Sequence, residues 1–108
     1  MRQWEIWKCR DLPGFDRDHW FVILSGQERI DNPRFLKING LACFTLRGSP
    51  KQTDVLLNGA DGFEGPTACQ CDFAFILEKA KLHSRIGQIG VERQRIIKAK
   101  LKEVLRLY

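Results

Sequence analysis

The sequence predicts a mainly β fold, a small barrel of short antiparallel strands with a C-terminal α-helix. Residues 20–24 are five consecutive large apolar residues, a run too short for a helix and typical of a strand buried on both faces. Several other short runs separated by turn residues indicate the further strands of a small barrel. Residues 91–108 repeat apolar side chains at helical spacing, which predicts the terminal helix.

The first strand is expected within residues 4–9. Its alternation places Trp4 and Ile6 on one face and Glu5 and Trp7 on the other. The first strand is therefore a partner for the central strand that follows it.

The loop of residues 10–17 contains a Pro-Gly turn signal and mixes basic, acidic and aromatic side chains. It leads into Asp18 and His19, which stand at the entrance of the central strand. Because polar residues at a strand end lie where the core meets solvent, the sequence predicts a functional site there.

The segments after the central strand are less regular. Residues 27–32 are expected to be a polar connection, and residues 35–46 either a hairpin turning at Asn39-Gly40 or one bulged strand, which we favour. Further strands are expected at residues 55–57 and 67–75. One helical turn is expected at residues 78–82, residues 83–89 are ambiguous, and His83 is interpreted as a surface residue.

The terminal helix is expected to carry two stripes. The apolar stripe, which would pack on the barrel, consists of Ile97, Leu101, Val104, Leu105 and Tyr108. The basic stripe consists of Arg95, Lys98, Lys102 and Arg106. A charged face is what a docked helix presents to water, so we favour a solvated face over a nucleic-acid surface.

Size and charge limit the classes of protein. The 108 residues, 44% of them hydrophobic, predict a single domain over residues 1–108. No apolar run approaches the roughly 18 residues of a membrane span, and there is no signal-like segment, so we expect a soluble cytoplasmic protein. The net charge of +5 permits phosphate-rich partners without requiring them.

The four cysteines do not predict a metal site. Cys9 and Cys43 stand alone, and Cys69 with Cys71 lacks the spacing usual in zinc sites. Because residues two apart on a strand share a face, Cys69 and Cys71 are expected to fill one side of the sheet. We expect neither a metal nor another cofactor.

With these residues in view, the chain resembles the MazF/PemK/Kid family of toxin endoribonucleases from toxin-antitoxin systems. The similarity is carried by five short motifs that occur in the family's order over nearly the whole chain: residues 5–7, 19–25, 43–45, 71–72 and 86–89. The resemblance implies a PemK/CcdB-like barrel and usually a homodimer. It also implies a cleft across the dimer that cuts single-stranded RNA or holds a segment of an antitoxin.

Metal-free RNA cleavage needs a base for the 2′-hydroxyl, an acid for the leaving 5′-oxygen, and donors or cations for the phosphate charge. The family supplies arginines at two positions that are His19 and Gln70 in this chain, whereas Thr45 and Asp72 match the family pattern. His19 could act as acid or base, with Asp72 as the partner base and Thr45 as a phosphate donor.

Cations for the phosphate must then come from other positions, and Arg17 or Arg47 could replace the missing arginines. With Glu5 and Gln70, these two are the candidate RNA-binding residues. Each candidate also has a structural interpretation, since Thr suits any strand, Asp can hold a turn and Glu5 can pair with a neighbouring strand.

Three functions remain open. The first is a metal-independent endoribonuclease that an acidic antitoxin neutralises. The second is a catalytically diverged member that binds RNA or protein, and the third and weakest is a gyrase-directed toxin similar to CcdB. We also expect a homodimer, because Trp7, Trp20 and Phe21 offer more apolar surface than so small a barrel can bury.

Overall fold

The structure, a computed structural model, describes residues 1–106. Within them the chain forms strands β1 (Glu5–Cys9), β2 (His19–Ile23), β3 (Lys37–Thr45), β4 (Asp54–Leu57), β5 (Thr67–Glu78) and β6 (Leu82–Gln88), with helices α1 (Gln27–Asp31) and α2 (Val91–Leu105). Single 3-10 turns lie at Gly59–Asp61 and Lys79–Lys81. No helix in residues 1–106 has the length and apolar character needed to span a membrane.

The six strands form one antiparallel sheet in the order β4-β5-β3-β2-β1-β6. The predicted central strand is confirmed, because β2 pairs with β1 on one edge and β3 on the other, and Phe21, Val22 and Ile23 are fully buried. The sheet and its C-terminal helix also confirm the predicted fold class.

Residues 37–45 form one strand, so the single-strand interpretation of this segment is correct and the hairpin is wrong. Gly40 is required by packing, since a Cβ there would lie 2.6 Å from the Leu77 side chain and 3.0 Å from the Val22 carbonyl oxygen. The irregularity lies in the pairing with β5, where the register shifts between Leu41 and Cys43.

The two edges of the sheet meet through the loop that follows β4. At Gly87 on β6 a Cβ would lie only 1.9 Å from the carbonyl oxygen of Asp61, so this strand and this loop are in direct backbone contact. The Asp61 carboxylate is buried, accepts from the Asn58 amide and pairs with Arg93 of α2. This contact joins β4, β6 and the helix in one body.

Each face of the sheet has its own core. The first core contains Ile6, Val22, Leu41 and, from α2, Ile97. Cys43, Cys69 and Cys71 belong to it, which confirms that Cys69 and Cys71 fill one side of the sheet. A hydrogen bond with the Cys43 thiol, together with burial, raises the pKa of Cys69. A hydrogen bond with the Cys69 thiol, together with burial, raises the pKa of Cys71, so both thiols remain protonated.

The second core, on the other face, contains Cys9, Phe21, Ile23, Ile38 and Leu77. Side chains of the loop before β2, including Leu12 and Phe15, pack against it, and so does Ile30 of α1. The alternation predicted for the first strand is confirmed, because Trp4 packs on the first core and Trp7 on the second.

Several local predictions require correction. Residues 27–31 of the expected polar connection are a short helix, and most of the ambiguous segment 83–89 belongs to strand β6. In the terminal helix Ile97 is buried, but Leu105 is 59% exposed and does not pack on the sheet. Tyr108, the last member of the predicted stripe, lies outside the described residues. The four residues of the basic stripe are all exposed, as predicted.

Candidate functional site

His19 begins β2 and is enclosed by aromatic rings. Its ring centroid lies 4.3 Å from that of Phe44, 4.7 Å from that of Phe15 and 5.7 Å from that of Phe21. Its Nε2 is buried and has no hydrogen-bond partner within residues 1–106. Burial lowers the pKa of His19, although the nearby Cys43 backbone acts in the opposite direction, so the imidazole is neutral near pH 7.

Thr45 ends β3 on the opposite face of the sheet. It lines a pocket of about 460 Å³ together with Lys8 of β1, Trp20 of β2 and the loop of residues 62–66. The Lys8 ammonium lies 5.0 Å from the centroid of the Trp20 ring, a cation–π contact that holds the charge over the apolar wall. The pocket therefore combines a hydroxyl, a cation and an aromatic surface.

The indole nitrogen of Trp20 is also buried, and it has no hydrogen-bond partner in the part of the chain that the structure describes. Lys8 is the only basic side chain among the pocket residues. Sequence reasoning did not select Lys8, because a lone lysine in a strand carries no motif, and only the pairing of β1 with β2 brings it to Trp20.

A second polar group lies on the edge strand β6, and its residues do not line the pocket. The Asp18 carboxylate is 2.6 Å from Nε2 of His83, and the Ser84 hydroxyl is 2.9 Å from Nδ1 of the same ring. His83 is the direct partner of Lys8 in the pairing of β1 with β6. His83 lies at the surface, as expected, with its side chain 36% exposed, and the structure adds its hydrogen bonds to Asp18 and Ser84.

Glu5 is buried and its carboxylate is fully engaged. It accepts from the Arg2 amide at 2.6 Å, from the Trp7 indole at 3.2 Å and from the Arg85 guanidinium at 2.5 Å. Although burial opposes the change, these hydrogen bonds and the Arg85 charge lower the pKa of Glu5. The geometry fits the structural interpretation of Glu5, which ties β1 to β6.

Gln70 and Asp72 lie on β5, which β3 separates from β2. Gln70 is half-buried opposite Asp54, whereas Asp72 is exposed at the register shift. Two interstrand spacings separate β5 from His19, about 10 Å. One chain thus does not bring His19, Thr45 and Asp72 to a single point.

The two arginines proposed as substitutes lie in loops. Arg17 and Arg47 are both exposed, and their side chains make no ion pair within residues 1–106. Arg17 precedes Asp18 of the His83 group, and Arg47 follows Thr45 and Leu46 at the pocket. Both are in positions where a bound phosphate could meet a cation.

The fold has counterparts among solved structures of mycobacterial toxins. An endoribonuclease from a mycobacterial species, solved in complex with its cognate antitoxin, is 19% identical, with a TM-score of 0.82 over 100% of this chain and 97% of that chain. The Mycobacterium tuberculosis toxin MazF-mt6 is 16% identical, with a TM-score of 0.78 over 94% and 96% of the two chains.

A further mycobacterial endoribonuclease is 19% identical, with a TM-score of 0.78 over 98% of this chain and 91% of that one. No protein-family model and no curated protein sequence matches the chain. At these identities the likeness establishes the fold, and the chain has the fold of the MazF toxins.

Proposed function

Starting from this MazF-like toxin fold, we propose that the chain is a toxin-type endoribonuclease that cleaves single-stranded RNA without a metal and is neutralised by a cognate antitoxin. The observation that carries the proposal is the likeness, over 100% of the chain, to an endoribonuclease solved with its antitoxin. Such an enzyme acts on mRNA and therefore works in the cytoplasm.

The pocket has groups that suit an RNA substrate. Thr45 can donate a hydrogen bond to a phosphate oxygen, and Lys8 can offset the charge that develops on it. Trp20 offers an aromatic face on which a base could stack. Arg47 extends the positive charge to the loop that follows Thr45 and Leu46 at the pocket, and Arg17 adds a cation next to Asp18.

We further propose that the active form is a homodimer, although on a different surface from the one that the sequence suggested. Phe21 is fully buried, and Trp7 and Trp20 are only partly exposed because they pack against the two cores. Ile76 on β5 is 65% exposed, and it offers a second copy an apolar contact. Asp72 would then lie beside the partner subunit.

The expected antitoxin is a small protein with an acidic, flexible segment. The net charge of +5 and the exposed arginines favour such a partner. A segment that becomes ordered on the basic surface would compete with RNA for it.

The proposal is tested with purified protein and a long single-stranded RNA in the presence of EDTA. Cleavage that persists in EDTA and stops when the nucleotide on the 5′ side of the cut site is replaced by its 2′-deoxy form supports the proposal. Complete absence of cleavage, with the protein folded and dimeric, contradicts it. If a small acidic protein is encoded beside the gene, adding it in equal amount is expected to stop the reaction.

The second candidate function is an RNA-binding module that has lost its chemistry. The enclosure of His19 by Phe15 and Phe44 favours it, because a histidine at one of the family's arginine positions does not reach solvent freely. Binding of RNA in the same assay without cleavage would select this function. Recovery of cleavage in His19→Arg combined with Gln70→Arg would strengthen that conclusion.

A further inference from the structure

We propose that His83, positioned by Asp18, is the general base of the RNA-cleaving site. The inference rests on the proposed function and adds to it a catalytic residue outside the family-like motifs. The Asp18 carboxylate lies 2.6 Å from Nε2 of His83, and the Ser84 hydroxyl lies 2.9 Å from Nδ1 of the same ring. This is the arrangement in which a carboxylate orients a base toward a hydroxyl group.

The hydrogen-bond partners determine which ring nitrogen of His83 can act. A carboxylate only accepts hydrogen bonds, so Nε2 carries the proton and donates it to Asp18. Nδ1 is then the acceptor, and the Ser84 hydroxyl donates to it. A 2′-hydroxyl of RNA could take the place of the Ser84 hydroxyl as the donor to Nδ1. The His83 side chain is 36% exposed, so a substrate can reach it.

The backbone of β6 is irregular around Ser84. The register of β1 with β6 shifts on both sides of Trp7, leaving Ser84 and Ile86 without direct partners. Ser84 has φ of 55°, the left-handed region that non-glycine residues rarely adopt. Bulges and strained residues of this kind occur next to active sites, where they redirect a side chain.

Lys8 connects the proposed base, His83, to the pocket. His83, Lys8 and Trp20 occupy one row across three neighbouring strands, and Lys8 lines the pocket that contains Thr45. The charged group in contact with His83 is Asp18 from the loop before β2, and Lys8 of β1 is its partner across the strand pairing. A phosphate held by Lys8 would thus lie beside the base, since Lys8 is the direct partner of His83 in the pairing of β1 with β6.

The step balances without a further cofactor. Nδ1 of His83 accepts the 2′-hydroxyl proton, the 2′-oxygen forms a bond to phosphorus, and the bond from phosphorus to the 5′-oxygen breaks. The 5′-oxygen takes a proton from water at the open side of the pocket. The products are a 2′,3′-cyclic phosphate and a 5′-hydroxyl, and Lys8 offsets the charge on the phosphate oxygens.

The test is single-turnover cleavage of an RNA with one cut site by the full chain. We expect His83→Ala and His83→Gln to lower the rate by about 10² to 10⁴. The acid limb of the pH–rate profile, which a base produces, should be lost in both. Asp18→Asn should lower the rate with little change in RNA affinity, and Asp18→Glu should restore part of it, as expected for a positioning residue.

The control is Glu92→Gln, which removes an exposed carboxylate of an ion pair on α2 and should leave the rate unchanged. Circular dichroism and a thermal melt establish that each variant is folded. If the unmodified chain cuts RNA and both His83 variants cut it equally well, the inference fails while the proposed function stands. If the unmodified chain cuts no RNA, both fail.

Discussion

His19 and Thr45 lie on opposite faces of the same sheet, although both belong to the family-like motifs. The His19 ring packs against Phe44 at 4.3 Å, whereas the Thr45 side chain lines the pocket with Lys8. The pairing of β2 with β3 explains this, because Phe44 and Thr45 alternate across the sheet. A functional role for His19 in one chain would therefore require its ring to leave the aromatic cluster.

The first prediction concerns the cost of burying the His19 ring. Its Nε2 is buried without a partner, and such a group costs about 1–3 kcal/mol. We expect His19→Phe to raise the free energy of unfolding by about 1 kcal/mol, because a phenyl ring suits the same cluster. Urea denaturation measures the change. Loss of RNA cleavage in a stable His19→Phe protein would instead support His19 as the catalytic residue.

The second prediction concerns Glu5 and the dependence of stability on pH. Because the folded-state pKa of Glu5 lies below its ordinary value of 4.5, the contribution is fully present above that value and is lost as the pH falls below it. We expect the free energy of unfolding to decrease on acidification through this range. Glu5→Gln should be less stable by about 1–3 kcal/mol at pH 7 and should show a smaller decrease.

The control for this prediction is Glu92→Gln. The Glu92 side chain is 81% exposed, and its carboxylate lies 3.9 Å from the Arg95 guanidinium. An exposed pair of this kind contributes about 0–1 kcal/mol. If the Glu5 and Glu92 variants have the same pH dependence, the Glu5–Arg85 pair does not stabilise the joining of β1 to β6.

The sequence predicted those strands and helices whose hydrophobic pattern is visible within one short segment. The apolar run at residues 20–24 and the helical spacing after Val91 both correspond to elements of the structure. Helix α1 has only five residues, too few to show a period, and Gly40 looked like a turn signal although packing against Leu77 is what requires it.

The site was harder to predict because it depends on distant pairings. The Asp18–His83 contact joins residues 65 positions apart, and it depends on the pairing of β1 with both β2 and β6. No local motif encodes such pairings. The residues taken from the family-like motifs, in contrast, are distributed over both faces of the sheet, because adjacent strand residues point in opposite directions.

The third prediction concerns the closure of the sheet. A Cβ at Gly87 would lie 1.9 Å from the Asp61 carbonyl oxygen, and backbone must move to admit it. We expect Gly87→Ala to lower the free energy of unfolding by about 3 kcal/mol. Gly26→Ala is the matched control, because nothing lies within 4 Å of a Cβ there. Equal thermal stability of the two variants would mean that the loop separates easily from β6.

The fourth prediction concerns the proposed dimer. Ile76 is 65% exposed on β5, so Ile76→Asp should leave the fold intact and shift the chain toward the 12.5 kDa monomer. Val91→Asp is the control, since Val91 is 66% exposed at the start of α2. Sedimentation velocity at micromolar concentration measures both. An unmodified chain that sediments only as the monomer would contradict the dimer itself.

The fifth prediction concerns Lys8 as the cation of the pocket. Since Lys8 is the only basic side chain lining it, we expect Lys8→Ala to weaken RNA binding and to reduce the dependence of log affinity on log salt by about 0.7, the change for one lost phosphate contact on a single strand. Lys8→Arg should retain most of the binding. Fluorescence anisotropy with a short labelled RNA at several salt concentrations measures these quantities.

Lys102→Ala tests the other candidate for phosphate contact, the basic stripe of α2. Lys102 is exposed on the helix, and a solvated face should contribute little to a bound strand. We expect its affinity and its salt dependence to equal those of the unmodified chain, while Lys8→Ala differs in both. The reverse result would move the RNA path from the pocket to the helix, and with it the reason for expecting His83 near the scissile phosphate.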